Sequence, residues 1–234
     1  MWCLSSGKDP FFTQAPESWE PILYLPKCRI APSNMRLPST KWSTPLAAAF
    51  ADLQTLSLRI NSATRARSRY DATDFCGVLT SLQTRLLYLR RSTRSLGLYK
   101  VPQFPYINPI AIDIEDPFQE LMRLFMLAFL TTTFKALGNN MPFQWIGAQV
   151  AEIVPKVLKR RDGDDDDFLL WGLAIAGLSV VDPEEGWFRQ AWWEVAPGQG
   201  WGTIRERLVR VLWVEVAHDA IGEAMFDKAL SIRD

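Results

Sequence analysis

A chain of 234 residues and 26.7 kDa is long enough for one large domain, able to bury roughly 70–75% of the surface its unfolded form exposes. With 48% hydrophobic residues and ten tryptophans, it lies outside the low-hydrophobicity, high-charge composition of disordered chains. Lysine plus arginine equals aspartate plus glutamate at 26 each, so no whole-molecule field draws it to nucleic acid or to an anionic membrane.

Residues 1–45 hold seven of the fifteen prolines, at intervals of five to seven, which forbids a helix longer than about a turn. Because Phe11, Phe12, Trp19 and Ile22–Leu25 are interspersed, this segment reads as an extended arm against the body, its first ten residues mobile. A 3.6-residue apolar period begins at Leu46 (Leu46, Phe50, Leu53, Leu56 or Ser57, Ile60) and predicts a helix. A second helix, starting near Asp71 or Thr73 and ending by Gly97, carries Phe75, Leu79, Leu82, Leu86 and Leu89; prolines 102, 105 and 109 then make a loop of 101–114.

Asp116-Pro117 is a helix start, an acid at the cap and proline in the first turn, and that helix runs to Gly138. Met141-Pro142 opens the next, which Pro155 is expected to kink or end early. Asp164–Asp167 places negative charge at the N-terminus of an apolar helix, Phe168 to Val181, whose 14 residues fall short of the ~20 that span a bilayer. Asp182-Pro183 opens a short helix with Trp187, Phe188, Trp192 and Trp193, and Pro197–Gly200 breaks the chain. A last long helix is expected from about Thr203 through Val216, followed by a tail helix over Gly222–Ile232. The predicted fold is all-α, with about seven or eight helices in 46–234 behind the arm of 1–45.

Charge is uneven along the chain. Nine bases between Arg59 and Lys100 stand against Asp71 and Asp74, whereas 162–185 has eight acids and no base; both stretches read first as solvated faces. Arg65–Arg69 and Arg90–Arg94 are too short to imply direct sequence-specific nucleic-acid binding. Cys3, Cys28 and Cys76 form neither a disulfide framework nor a CxxC pair, which suits a reducing compartment, nuclear or cytoplasmic. The N-terminus has no basic segment followed by an apolar run, and so lacks the features of a secretory signal.

Chemistry-bearing constellations are sparse. The spacing of the cysteines and His218 matches no zinc rule, and an EF-hand begun at Asp162 would put Asp167 where glycine is required and Leu173 where the bidentate acid belongs, so no metal is expected. No GxSxG elbow, GxGxxG or GxxxxGK loop is present, and no cofactor is expected. His218, the single histidine, has Asp219 beside it and Glu215 nearby at what reads as the end of a helix, where an imidazolium is favoured; it is a candidate general base or a carbonyl-binding helix terminus.

Phe168–Gly177, then Trp187, then Trp201-Gly202-Thr203-Ile204-Arg205 leading to Leu212–Asp219 and Gly222, resemble the C-terminal regulatory region of fungal zinc-cluster transcription factors. Leu46–Ile60, the Leu86-Leu87 helix and Leu127–Thr132 ahead of Met141-Pro142 stand in the order of that region, so the resemblance covers about 45–232. It implies a stand-alone regulatory domain that binds a partner protein or a small apolar effector, pairing with itself or with a full-length relative. The six-cysteine cluster by which such regulators read DNA has no counterpart, since only Cys3 and Cys28 lie in the arm. An alternative expectation is a cofactor-free isomerase or cyclase acting on an apolar natural product. Trp171, Trp187, Trp201 and Trp213 would wall its cavity, with His218 and Glu215 as acid, base or orienting donors. A third is a fragment or degenerate relative without separate activity.

Overall fold

The computed structural model describes residues 35–37, 42–68, 72–89, 116–136, 143–161 and 163–230. Among them the chain is all-helical, as its periodicity predicts: α1 Thr44–Arg65, α2 Ala72–Tyr88, α3 Pro117–Ala136, α4 Gln144–Leu158, α5 Asp166–Ser179, α6 Gly186–Val195, α7 Trp201–Val211 and α8 Glu215–Leu230. Most of the proline-spaced arm, the 101–114 loop, Gly138–Asn140, and the ends of the second and tail helices lie outside the described residues.

Helices α3 and α5 form the centre. Every residue of α3 from Leu121 to Leu130 is buried, and Phe168–Ala176 of α5 is apolar on all sides because α3, α6, α7 and α8 surround it. Close approach of the pair depends on Gly172, where a β-carbon would sit 1.7 Å from Cδ2 of Phe125. On the other flank α1 and α2 pack together over the buried Asp52–Arg85 ion pair. Arg123 of α3 is buried too, held by Glu120 and donating at 3.0 Å to the Leu86 carbonyl near the end of α2.

Local chemistry accounts for the helix ends. The Asp116 carboxylate accepts from the Phe118 amide at 3.1 Å with Pro117 as first residue, the start read from the sequence. Pro155 does not end the helix early: α4 continues past it to Leu158, because buried Val154 and Val157 hold the final turn against the core. At the end of α1, Ser68 donates to the Ala63 carbonyl (2.9 Å) and Arg67 to Thr64 (3.1 Å), a double closure that puts Arg67 at φ 51°. Only glycine takes that conformation without steric cost, so Arg67→Gly should stabilise the fold by about 1 kcal/mol in chemical denaturation. No gain would mean that the Arg67 side chain makes a compensating contact.

The largest departure lies near the C-terminus. The single helix expected from 203 to 216 is two helices: α7 starts at Trp201 and ends at Val211, Leu212 is extended (φ −170°, ψ 112°), and α8 starts at Glu215 rather than near Gly222. This break positions the candidate site.

Candidate functional site

A buried, non-helical tripeptide, Leu212–Val214, needs partners for the peptide groups that a helix would have satisfied internally. Helix α1 supplies several of them from one stripe. Gln54 Nε2 donates to the Val211 carbonyl at 2.8 Å, Ser57 Oγ and Asn61 Nδ2 to the Trp213 carbonyl at 2.8 and 2.7 Å, and Asn61 Oδ1 accepts from the Glu215 amide at 3.0 Å. Three buried polar residues at spacings of three and four thus hold the joint between α7 and α8.

His218 completes the joint. It lies in the first turn of α8, not at a helix C-terminus as expected, so the helix dipole there disfavours the imidazolium. Nδ1 accepts from the Val214 amide at 3.3 Å, leaving the proton on Nε2 to be donated to Thr132 Oγ1 at 2.9 Å, while that hydroxyl donates to the Phe129 carbonyl at 2.7 Å. Both ring nitrogens are therefore engaged, and the ring is buried against Phe129 (5.5 Å between centroids) and Trp213 (4.8 Å). Burial pushes its pKa down to about 4, against the pull of the Asp219 carboxylate. The group is neutral at physiological pH, with no free lone pair to take a proton.

The sign of the linkage follows from that shift. Between about 6.5 and about 4 the unfolded chain binds a proton at His218 that the folded chain does not, so the contribution is complete above 6.5 and lost as pH falls toward 4. A fall in Tm from pH 7 to pH 4.5 that His218→Gln largely removes is the expected result; an equally steep fall in the variant would place the loss elsewhere.

Glu215 and Asp219 flank the imidazole in sequence but serve other partners. The Glu215 carboxylate pairs with exposed Arg65. Asp219 accepts two bonds from Arg205, at 3.0 and 2.8 Å, and one from the Trp213 indole at 2.8 Å. Partial burial pushes its carboxyl up, but the Arg205 and Trp213 hydrogen bonds outweigh this and hold it below the ordinary carboxylate range.

The four singled-out tryptophans belong to one aromatic chain. Trp201 and Trp213 touch directly, 6.3 Å between centroids. Trp171 joins them through Phe129 and His218, and Trp187 joins through Phe188, Trp192 and Phe226. Trp171 is fully buried, edge-on to Phe50 and Phe125, and its indole N–H has no acceptor among the described residues; Trp187 is half-buried and donates to Glu185. The rings of the cluster lie in contact with one another. A cavity of about 160 Å³ that the described residues do form lies elsewhere, where Trp42, Phe118 and Leu169 meet Val157, Arg160 and Arg161, and none of the four lines it.

Sequence reading missed Gln54, Ser57, Asn61 and Thr132 as parts of this cluster, although the 54–57–61 spacing on one helical stripe is visible in the chain. Among the described residues no group of His, Cys, Asp or Glu is placed to hold a metal ion, and no helix is long and apolar enough to cross a membrane. No family model, curated protein or solved structure matches the chain.

Proposed function

We propose that this protein is a helical regulatory domain that works by binding another protein, as its resemblance to the effector region of fungal zinc-cluster regulators implies, and that it does not read DNA itself. One observation carries the reading: the polar groups around His218 in the aromatic cluster are engaged in closing the fold. Both imidazole nitrogens of His218 have partners, as do the Asp219 carboxylate and the Trp213 indole. Chemistry on a bound molecule needs a free acid or base, and His218, Asp219 and Glu215 are all engaged with partners of the fold. Surface contact, with itself or with a related regulator, is what the scaffold has to offer.

The test is to tether the full chain to a heterologous DNA-binding domain upstream of a reporter and to identify the proteins that co-purify with it from nuclear extract. The regulatory reading expects a several-fold change in reporter output and a transcription-related partner. An unchanged reporter with no such partner would count decisively against it.

A further inference from the structure

We propose that the cavity between the starts of α3 and α5 and the end of α4 binds a small aromatic carboxylate, its ring against Trp42 and Phe118 and its carboxylate on Arg160. Trp42, Phe118, Val157 and Leu169 form the apolar part of the wall, and Arg160 and Arg161, which follow directly on α4, supply the cationic part. Trp42 packs against Phe50 and Phe168, at 5.2 and 5.3 Å between centroids, so the ring is held in place before any ligand arrives. At about 160 Å³ the cavity has the size of those that hold one benzene ring, about 150 Å³.

Two polar features select the chemistry of the ligand. The Trp42 indole N–H is buried and has no acceptor among the described residues; buried donors are normally paired, and an oxygen of the ligand supplies what the wall does not. Four charged residues also line the cavity, and three of them are engaged. The Asp116 carboxylate accepts from the Phe118 amide at 3.1 Å, Arg161 pairs with Asp166 at 3.6 Å, and Asp165 has a partner as well. Arg160, exposed at the rim, has no ion-pair partner among the described residues.

Backbone charge acts in the same direction. Helix α3 begins at Pro117 and α5 at Asp166, whose N-cap Asp165 makes no side-chain capping bond, so two helix N-termini bring partial positive charge to the cavity. One unpaired guanidinium suits a single negative charge, and the lining carboxylates of Asp116 and Asp165 oppose a dianion such as phosphate. The site shares no residue with the His218 cluster and needs no transcriptional role, so it stands or falls apart from the proposed function.

The experiment titrates sodium benzoate into the full chain at pH 7 and follows the ten indole N–H signals in a proton–nitrogen spectrum, with that of Trp42 identified by sequential assignment. The Trp42 signal should shift to saturation with a Kd of about 1 mM or below; benzamide, the neutral isostere, should bind at least roughly tenfold more weakly, and inorganic phosphate should not compete. Arg160→Gln, on the exposed rim, should weaken benzoate roughly tenfold while leaving benzamide binding and the helical circular dichroism unchanged. Lys159→Gln removes the same charge one residue away, outside the cavity wall, and should leave benzoate binding as it was. No saturable shift of the Trp42 signal, equal binding of benzoate and benzamide, competition by phosphate, or equal effects of the two substitutions would each overturn the proposal.

Discussion

Asp52→Ala should destabilise the protein by about 3–5 kcal/mol, and adding Arg85→Met to it should recover most of the loss. The carboxylate of Asp52 in α1 and the guanidinium of Arg85 in α2 pair with side chains 0% and 2% exposed, so neither charge retains its water. Truncating Asp52 removes the carboxylate that compensates the buried Arg85 guanidinium, whereas removing both charges takes the ion pair out of the core altogether. Urea denaturation of the two single variants and the double variant makes the comparison. A single-variant loss below about 1 kcal/mol, the size typical of exposed pairs, would mean that water reaches the site.

Gly172→Ala should cost about 3 kcal/mol, at the upper end for overpacking, because the added methyl lands 1.7 Å from Cδ2 of Phe125. That ring is fully buried between α3 and α5 and has no open side to move into. Phe125→Leu in the same chain should return part of the loss by making room. Gly202→Ala is the matched control: nothing lies within 4 Å of a β-carbon there, near the start of α7, and the substitution should stabilise by about 0.4–1 kcal/mol through the unfolded chain alone. Equal effects at the two glycines would contradict the close approach of α3 and α5.

Helices whose stability is local could be read directly. Asp116-Pro117 carries its own start signal, the apolar period of α1 carries its own face, and the unbroken apolar run of 168–176 announced a helix surrounded on all sides. What escaped depends on distant residues. Leu212–Val214 contains neither glycine nor proline, and the chain opens there because Gln54, Ser57 and Asn61, some 150 residues earlier, satisfy the freed peptide groups. Moving that boundary turned His218 from the end of one helix to the start of another, and with it the sign of the dipole acting on its ring. Pro155 shows the same competition from the other side, since burial of Val154 and Val157 outweighs a local breaker. The tryptophan spacing correctly brought rings from α5, α6 and α7 into one cluster with Trp213; it carried no information on whether they would pack or leave a space.

His218 is the single histidine of the chain, so its imidazole gives one resolvable set of proton, carbon and nitrogen signals. Following those signals from pH 8 to pH 3.5 tests most directly whether the cluster is a closed structural joint. A neutral ring protonated on Nε2, unchanged through pH 6 and titrating near 4 as the fold loosens, is the predicted result. A midpoint near 6.5 in the folded protein would contradict it, since it would place an unpartnered, solvent-open base at the centre of the tryptophan cluster.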